Sequence, residues 1–213
     1  MATASSWSSL PSPLRVLGDK IRQREPLLAQ DLLDETTPQG NLLLLLGELY
    51  FRTEDYSKST ELLTQVFNDA NLKSKRPQES HALYRLSDCH HWQGQNDEAY
   101  RIQTLFATEY SASTQAPAML LRKAVAEYSQ QHKPSVALET LAELERRYSR
   151  APEAESAAAY RITILHWIGS QELRDRAIVD LRRKYPIGDW AIIDWKSHLK
   201  DMTPKDREIE DSP

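Results

Sequence analysis

An all-α solenoid of antiparallel helix pairs is the fold that this sequence of 213 residues predicts, on three observations. A pair of key residues nine positions apart returns four times, as Tyr50 and Ser59, His90 and Ala99, Tyr128 and Ala137, and Ile168 and Ala177. Successive copies are spaced by 40, 38 and 40 residues, a period that belongs to stacked helical hairpins rather than to one globular core. Apolar residues around each pair fall at helical spacing, with short polar breaks between the runs.

The elements follow in chain order. Ser12-Pro13 is a helix start, and Leu14-x2-Leu17-Gly18-x2-Ile21 is followed by a second short helix from Pro26 to about Asp34, so residues 12–36 read as a degenerate leading pair. The first full repeat spans about 41–73. Leu43, Leu46, Gly47 and Tyr50 lie on one helix face, Gly47 letting a second backbone come close. Thr53-Glu54-Asp55 then turns the chain into a helix carrying Tyr56, Ser59, Leu62, Leu63 and Val66, with small Ser59 at the crossing. The stretch from Asn68 to Gln78, with Lys73, Lys75, Arg76 and Pro77, is expected to be a long connection.

Leu83, Leu86 and Ser87, a turn at Gly94-Gln95-Asn96-Asp97 and then Ala99 make the second repeat, about 79–115. Leu121, Ala124, Val125 and Tyr128 with Ala137 and Leu141 make the third, 117–150. The fourth, 153–185, carries Ile164, Leu165 and Ile168 with Ala177 and Leu181. Asp189 is placed to cap a final helix over 189–200, with Ile192, Trp195 and Leu199 on one face and Trp190 and Ile193 on the other. Residues 1–11 and 203–213 are polar, small or charged and read as disordered tails around a single domain, 12–202.

The run Leu43-x2-Leu46-Gly47-x2-Tyr50, followed by Glu54-Asp55-Tyr56-x2-Ser59, resembles the tetratricopeptide repeat (TPR) family, and Gly94-x2-Asp97-Glu98-Ala99 repeats its second half. The resemblance covers roughly residues 41–185, with Ala124-Val125 and Ile164-Leu165 standing where the family has Leu-Gly. It implies a right-handed solenoid whose first helices line a concave groove. Leu141-x2-Leu144-x3-Tyr148 before Pro152-Glu153-Ala154, and Phe106-x3-Tyr110 before Ala116-Pro117-Ala118, are similar to bacterial envelope members of the family. The start Met-Ala-Thr-Ala-Ser-Ser-Trp has neither a basic nor an apolar leader region, and the expectation is therefore a cytoplasmic protein.

Composition narrows the function classes. With 40% hydrophobic and 27% charged residues the chain can fold, and its longest apolar run, Leu42 to Leu46, is far too short to span a membrane. Five successive leucines read as a helix buried between neighbours. One cysteine excludes an internal disulfide, and a net charge of −4 argues against general nucleic-acid binding. Asp88, Cys89, His90 and His91 are the one chemically suggestive cluster, yet successive helix residues point about 100° apart and cannot converge on one atom. No catalytic site, metal site or cofactor is expected, and the chain is read as a non-enzyme.

The resemblance implies where a partner would sit. Carried over one position at a time, the family's groove falls on Leu44, Glu48, Phe51 and Arg52, then on His81, Tyr84, Asp88, His91 and Trp92. Met119, Arg122, Ala126 and Ser129 follow in the third copy, and Ile162 and His166 in the fourth. Aromatic, acidic, His and Arg side chains together suit a peptide or helix of a protein partner. Leu44 and Glu48 stand where a clamp for chaperone carboxylate tails has Lys and Asn. The expected role is a protein-binding scaffold or adaptor. A secretion-type chaperone for an unfolded client, or a self-associating subunit joined through the end helices, is the alternative, and Trp190, Trp195 and Leu199 of the last helix are the alternative partner surface.

Overall fold

The computed structural model describes residues 38–68 and 76–201, with side chains at 43–68 and 78–200. The leading pair expected at 12–36 and both tails lie outside the described residues. All regular structure among the described residues is α-helix, arranged in two compact units that meet in sequence at Gln115 and Ala116.

The first unit holds α1 (Pro38–Arg52), α2 (Tyr56–Asn68), α3 (Arg76–Trp92) and α4 (Asn96–Glu109). Each helix packs on the next, and α1 also touches α3. That pattern is how consecutive hairpins stack. Leu44, Leu45 and Leu46 of the leucine run are buried core residues, and Leu43 is half-buried. Where α1 crosses α2, a Cβ added to Gly47 would lie 2.7 Å from the Leu63 side chain, and the buried Ser59 hydroxyl donates to the Gly47 carbonyl at 2.8 Å. The connection expected through Gln78 is shorter than that, because Arg76 and Pro77 already belong to α3. Proline is tolerated in a first turn, where its missing N–H has no helical acceptor to lose.

The second unit holds α5 (Ala116–Ser129), α6 (Pro134–Arg147), α7 (Pro152–Trp167), α8 (Gln171–Lys184) and the short α9 (Trp195–Asp201). Neighbours from α5 to α8 pack in order, and α5 touches α7. Proline in the first turn opens α6 and α7, while Arg182, Arg183 and Lys184 end α8, where cations favour the helix dipole. Between α5 and α6 the fully buried Glu127 carboxylate is held by Lys123 and by the Thr140 hydroxyl at 2.6 Å.

The small residues Ser59, Ala99, Ala137 and Ala177 are all buried, but the fourth hairpin turns earlier than the repeat spacing implies. In the first two hairpins the Asp55 and Gln95 amides donate to the Tyr50 and His90 carbonyls, and the Ser59 and Ala99 amides to the Asp55 and Gln95 carbonyls. In the fourth, those two bonds run from Ser170 to Leu165 and from Arg174 to Ser170. The structural counterparts of Tyr50 and Ser59 are therefore Leu165 and Arg174, three residues before Ile168 and Ala177. Gly169, at φ 75°, is the cause, because it takes the left-handed conformation that ends α7 at no steric cost. Ala177 lies three residues further along the same stripe of α8 and stays in the core, whereas Ile168 is left exposed in the turn.

The last helix differs too. It begins at Trp195, not at Trp190. Residues just before it are claimed by tertiary bonds: the Trp190 amide donates to Glu155 at 2.8 Å, and Arg182 donates to the Ala191 and Ile193 carbonyls. Asp194, rather than Asp189, opens the helix, accepting from the Lys196 amide at 3.2 Å and the Ser197 hydroxyl at 2.8 Å. The Ser197 hydrogen bond holds its carboxyl below the usual carboxylate value.

Candidate functional site

Helical spacing puts Gln78, His81, Arg85, Asp88 and Trp92 on one stripe of α3, and Leu44, Glu48 and Phe51 on one stripe of α1. The contact between these two first helices joins the stripes through a residue absent from the sequence-derived set, Arg85. Its guanidinium donates twice to Glu48, at 2.5 and 2.8 Å, and to Asp88 at 3.1 Å. Arg52 adds a third donor to Glu48 at 3.2 Å. Glu48 is only 1% exposed, and the Arg52 and Arg85 guanidiniums supply the hydrogen bonds that its buried oxygens need. Burial works against the Arg85 charge, but Glu48 and Asp88 outweigh it and raise its pKa.

Arg85 also organises the rings about it. It lies 4.9 Å from the Phe51 centroid and 5.4 Å from that of Tyr84. Beyond it Phe51 meets Tyr56 edge-on at 5.6 Å, Tyr56 lies parallel to Trp92 at 6.3 Å, and His91 meets Trp92 edge-on at 5.6 Å. Toward the start of α3 the Gln115 amide meets His81 Nδ1 at 3.0 Å, and His81 Nε2 stands 4.0 Å from Glu48. Burial pushes the His81 pKa down, against the pull of Glu48, with Arg85 lowering it further.

The sequence-derived set thus divides by depth. Leu44 and Glu48 are buried, and His81 and Asp88 are largely so. Phe51, Arg52, Tyr84, His91 and Trp92 reach the surface, Trp92 with 62% of its area exposed. In the second unit Met119, Ala126 and Ile162 are core residues, not groove residues. Arg122, Ser129 and His166 are half-buried there, with Arg122 3.8 Å from the Met119 sulfur. Trp195 and Leu199 also face inward, packed with Ile162, Leu165 and Leu181, and Trp190 stacks on Trp195 at 6.1 Å. The surface expected of those three residues is therefore reduced to part of Trp190.

Arg85 escaped the sequence reading because it falls between the groove positions of the family pattern. An arginine four residues after His81 and three before Asp88 was the available signal, since both spacings share a helix face. Cys89 is fully buried and donates to the Ser59 hydroxyl at 3.2 Å, and burial pushes its thiol pKa up. His90 is occupied with Gln95 at 2.6 Å. Among the described residues no group of three or more His, Cys, Asp or Glu is placed to hold a metal ion, and no helix is long and apolar enough to cross a membrane.

Compared with known proteins, the chain matches no family model and no curated sequence. The site must be read from its own geometry.

Proposed function

We propose that the protein is a binding scaffold, an adaptor whose first unit holds a peptide or helix of a protein partner through the ends of α1 and α3. The observation that carries this reading is the set of Phe51, Tyr84, His91 and Trp92 at the surface, of which Phe51 and Tyr84 lie against the Arg85 guanidinium held by buried Glu48, and His91 and Trp92 against each other. Aromatic and arginine side chains dominate interfaces when their conformations are set before binding, because little rotamer freedom is then lost. The ion-paired network supplies that preorganisation. The TPR resemblance of residues 41–59 agrees with it, since in that family first helices receive the ligand.

Affinity capture from native extract, followed by binding measurements with the purified partner, tests the proposal. Replacing Tyr84 and Trp92 together with Ala is expected to weaken binding by at least about 2 kcal/mol with unchanged helical content. Undiminished affinity would reject it. A second reading, self-association, has its own observation in the second unit, where Leu173, Val179, Ile187 and Ile192 are exposed. Sedimentation equilibrium separates the two: Ile187→Ser with Ile192→Ser would dissociate an oligomer built on that surface and leave partner binding intact.

A further inference from the structure

His81 stands where the Glu48 network meets the connection that follows α4. On one side the Gln115 amide nitrogen donates to its Nδ1 at 3.0 Å, while the amide oxygen accepts from the Ser113 hydroxyl at 3.4 Å. The ring therefore carries its proton on Nε2. On the other side that Nε2–H is buried with no hydrogen-bond partner among the described residues, and Glu48 Oε2 lies 4.0 Å away, too far to accept it. The same oxygen takes the 2.5 Å bond from Arg85 Nε. Arg85 has a second carboxylate within reach, Asp88 of its own helix at 3.1 Å, and its guanidinium faces Phe51 and Tyr84. The charges that act on His81 are Glu48, across in α1, and Arg85, one turn on in α3. Glu79, two residues earlier, points away round the helix and accepts from Tyr110. The ionisable residues of α2, Tyr56, Lys58 and Glu61, lie in its first half, which the Tyr56–Trp92 stack sets against the far end of α3. In α4, Asp97, Glu98, Tyr100 and Arg101 follow that same far end, and Glu109 is exposed.

We propose that His81 is a proton-operated switch for the candidate site: once protonated it takes Glu48 Oε2 from Arg85, leaves Arg85 to Asp88 and releases Phe51 and Tyr84 from the arrangement that holds a partner. The proton comes from solvent and goes to Nδ1. Gln115 then turns its amide oxygen to the ring, and Ser113 can follow because a hydroxyl both donates and accepts. The imidazolium brings a charged donor to an oxygen that Arg85 already uses, and two cations four residues apart on a helix repel. With Asp88 as its alternative acceptor, Arg85 has two positions for the proton to choose between. The effect on a partner rests on the scaffold reading and adds its regulation.

The test follows the full chain by nuclear magnetic resonance from about pH 8 to about pH 5, reading the His81 ring and the Arg85 Nε–H together. Both signals should move with one midpoint, below the ordinary 6.5 because burial opposes the imidazolium. In His81→Gln, which keeps a polar partner for Gln115, the Arg85 signal should hold its position over the same range. A His81 ring that titrates while Arg85 stays still would overturn the inference. So would an Arg85 signal that moves equally in His81→Gln, or a protein that unfolds globally before His81 titrates. The partner recovered by affinity capture gives the second readout. Wild-type affinity should fall about fivefold or more between those pH limits, and in His81→Gln the ratio should stay near one. Equal falls in the two proteins would count against the switch. If Arg85 does not follow His81 while partner binding depends on Tyr84 and Trp92, the switch falls and the scaffold reading stands. If Arg85 follows His81 while Tyr84→Ala with Trp92→Ala retains its partner, the switch stands and the scaffold reading falls.

Discussion

At the scale of single residues the first unit turns on Glu48. A carboxylate at 1% exposure costs several kcal/mol unless it is compensated, and Arg85 supplies most of the compensation with two short hydrogen bonds. Arg85→Met should therefore destabilise the protein by roughly 3 kcal/mol, and adding Glu48→Leu should restore much of the loss, because the pair is then replaced by apolar packing. Chemical denaturation of the two variants measures both effects. His81 gives a prediction in pH. Its pKa is held below the ordinary 6.5 by burial, so the folded protein keeps it neutral while the unfolded chain takes up a proton near that value. Stability present above about pH 6.5 should fall as the pH is lowered through the folded-state value, and His81→Gln should flatten this part of the profile. Carboxylates held low, such as Asp55 by the Lys58 amide and Asp194 by Ser197, lose their contributions only at more acid pH.

At the scale of elements, hairpin existence was legible and hairpin register was not always so. Leu43, Leu46, Gly47 and Ser59 could be read because apolar spacing and the need for small residues at a crossing are local steric facts. The fourth turn was misplaced because Ile168 and Ala177 reproduce the nine-residue spacing by coincidence, while Gly169 fixes the real turn three residues earlier. The last helix was misplaced because Glu155 and Arg182, both distant in sequence, take the hydrogen bonds that residues 190–193 would have used in a helix. One comparison of variants checks the register. Leu165→Ala, in the core, should cost about 2–5 kcal/mol, whereas Ile168→Ala, in the exposed turn, should stay within about 1 kcal/mol. Equal losses, measured by thermal unfolding, would contradict the assignment.

At the scale of the molecule, two helical units each stack successive hairpins, and the candidate site belongs to the first. Which groove positions would be open could not be read from the repeat pattern, since burial depends on what lies beyond each helix pair. Met119, Ala126 and Ile162 occupy groove positions in sequence and core positions in the fold. Trp195 and Leu199 show the same limit, because an apolar helix face looks alike whether it covers its own core or awaits a partner. The surviving surface is the aromatic and arginine band at the ends of α1 and α3. Site-specific photo-crosslinking tests that claim most directly, with the photoreactive group introduced in turn at positions 84, 92 and, as an exposed control on α2, 61. The scaffold account predicts one and the same partner adduct at 84 and 92 and none at 61. Adducts formed equally at 61, or formed only from exposed positions of the second unit such as 187 and 192, would contradict it.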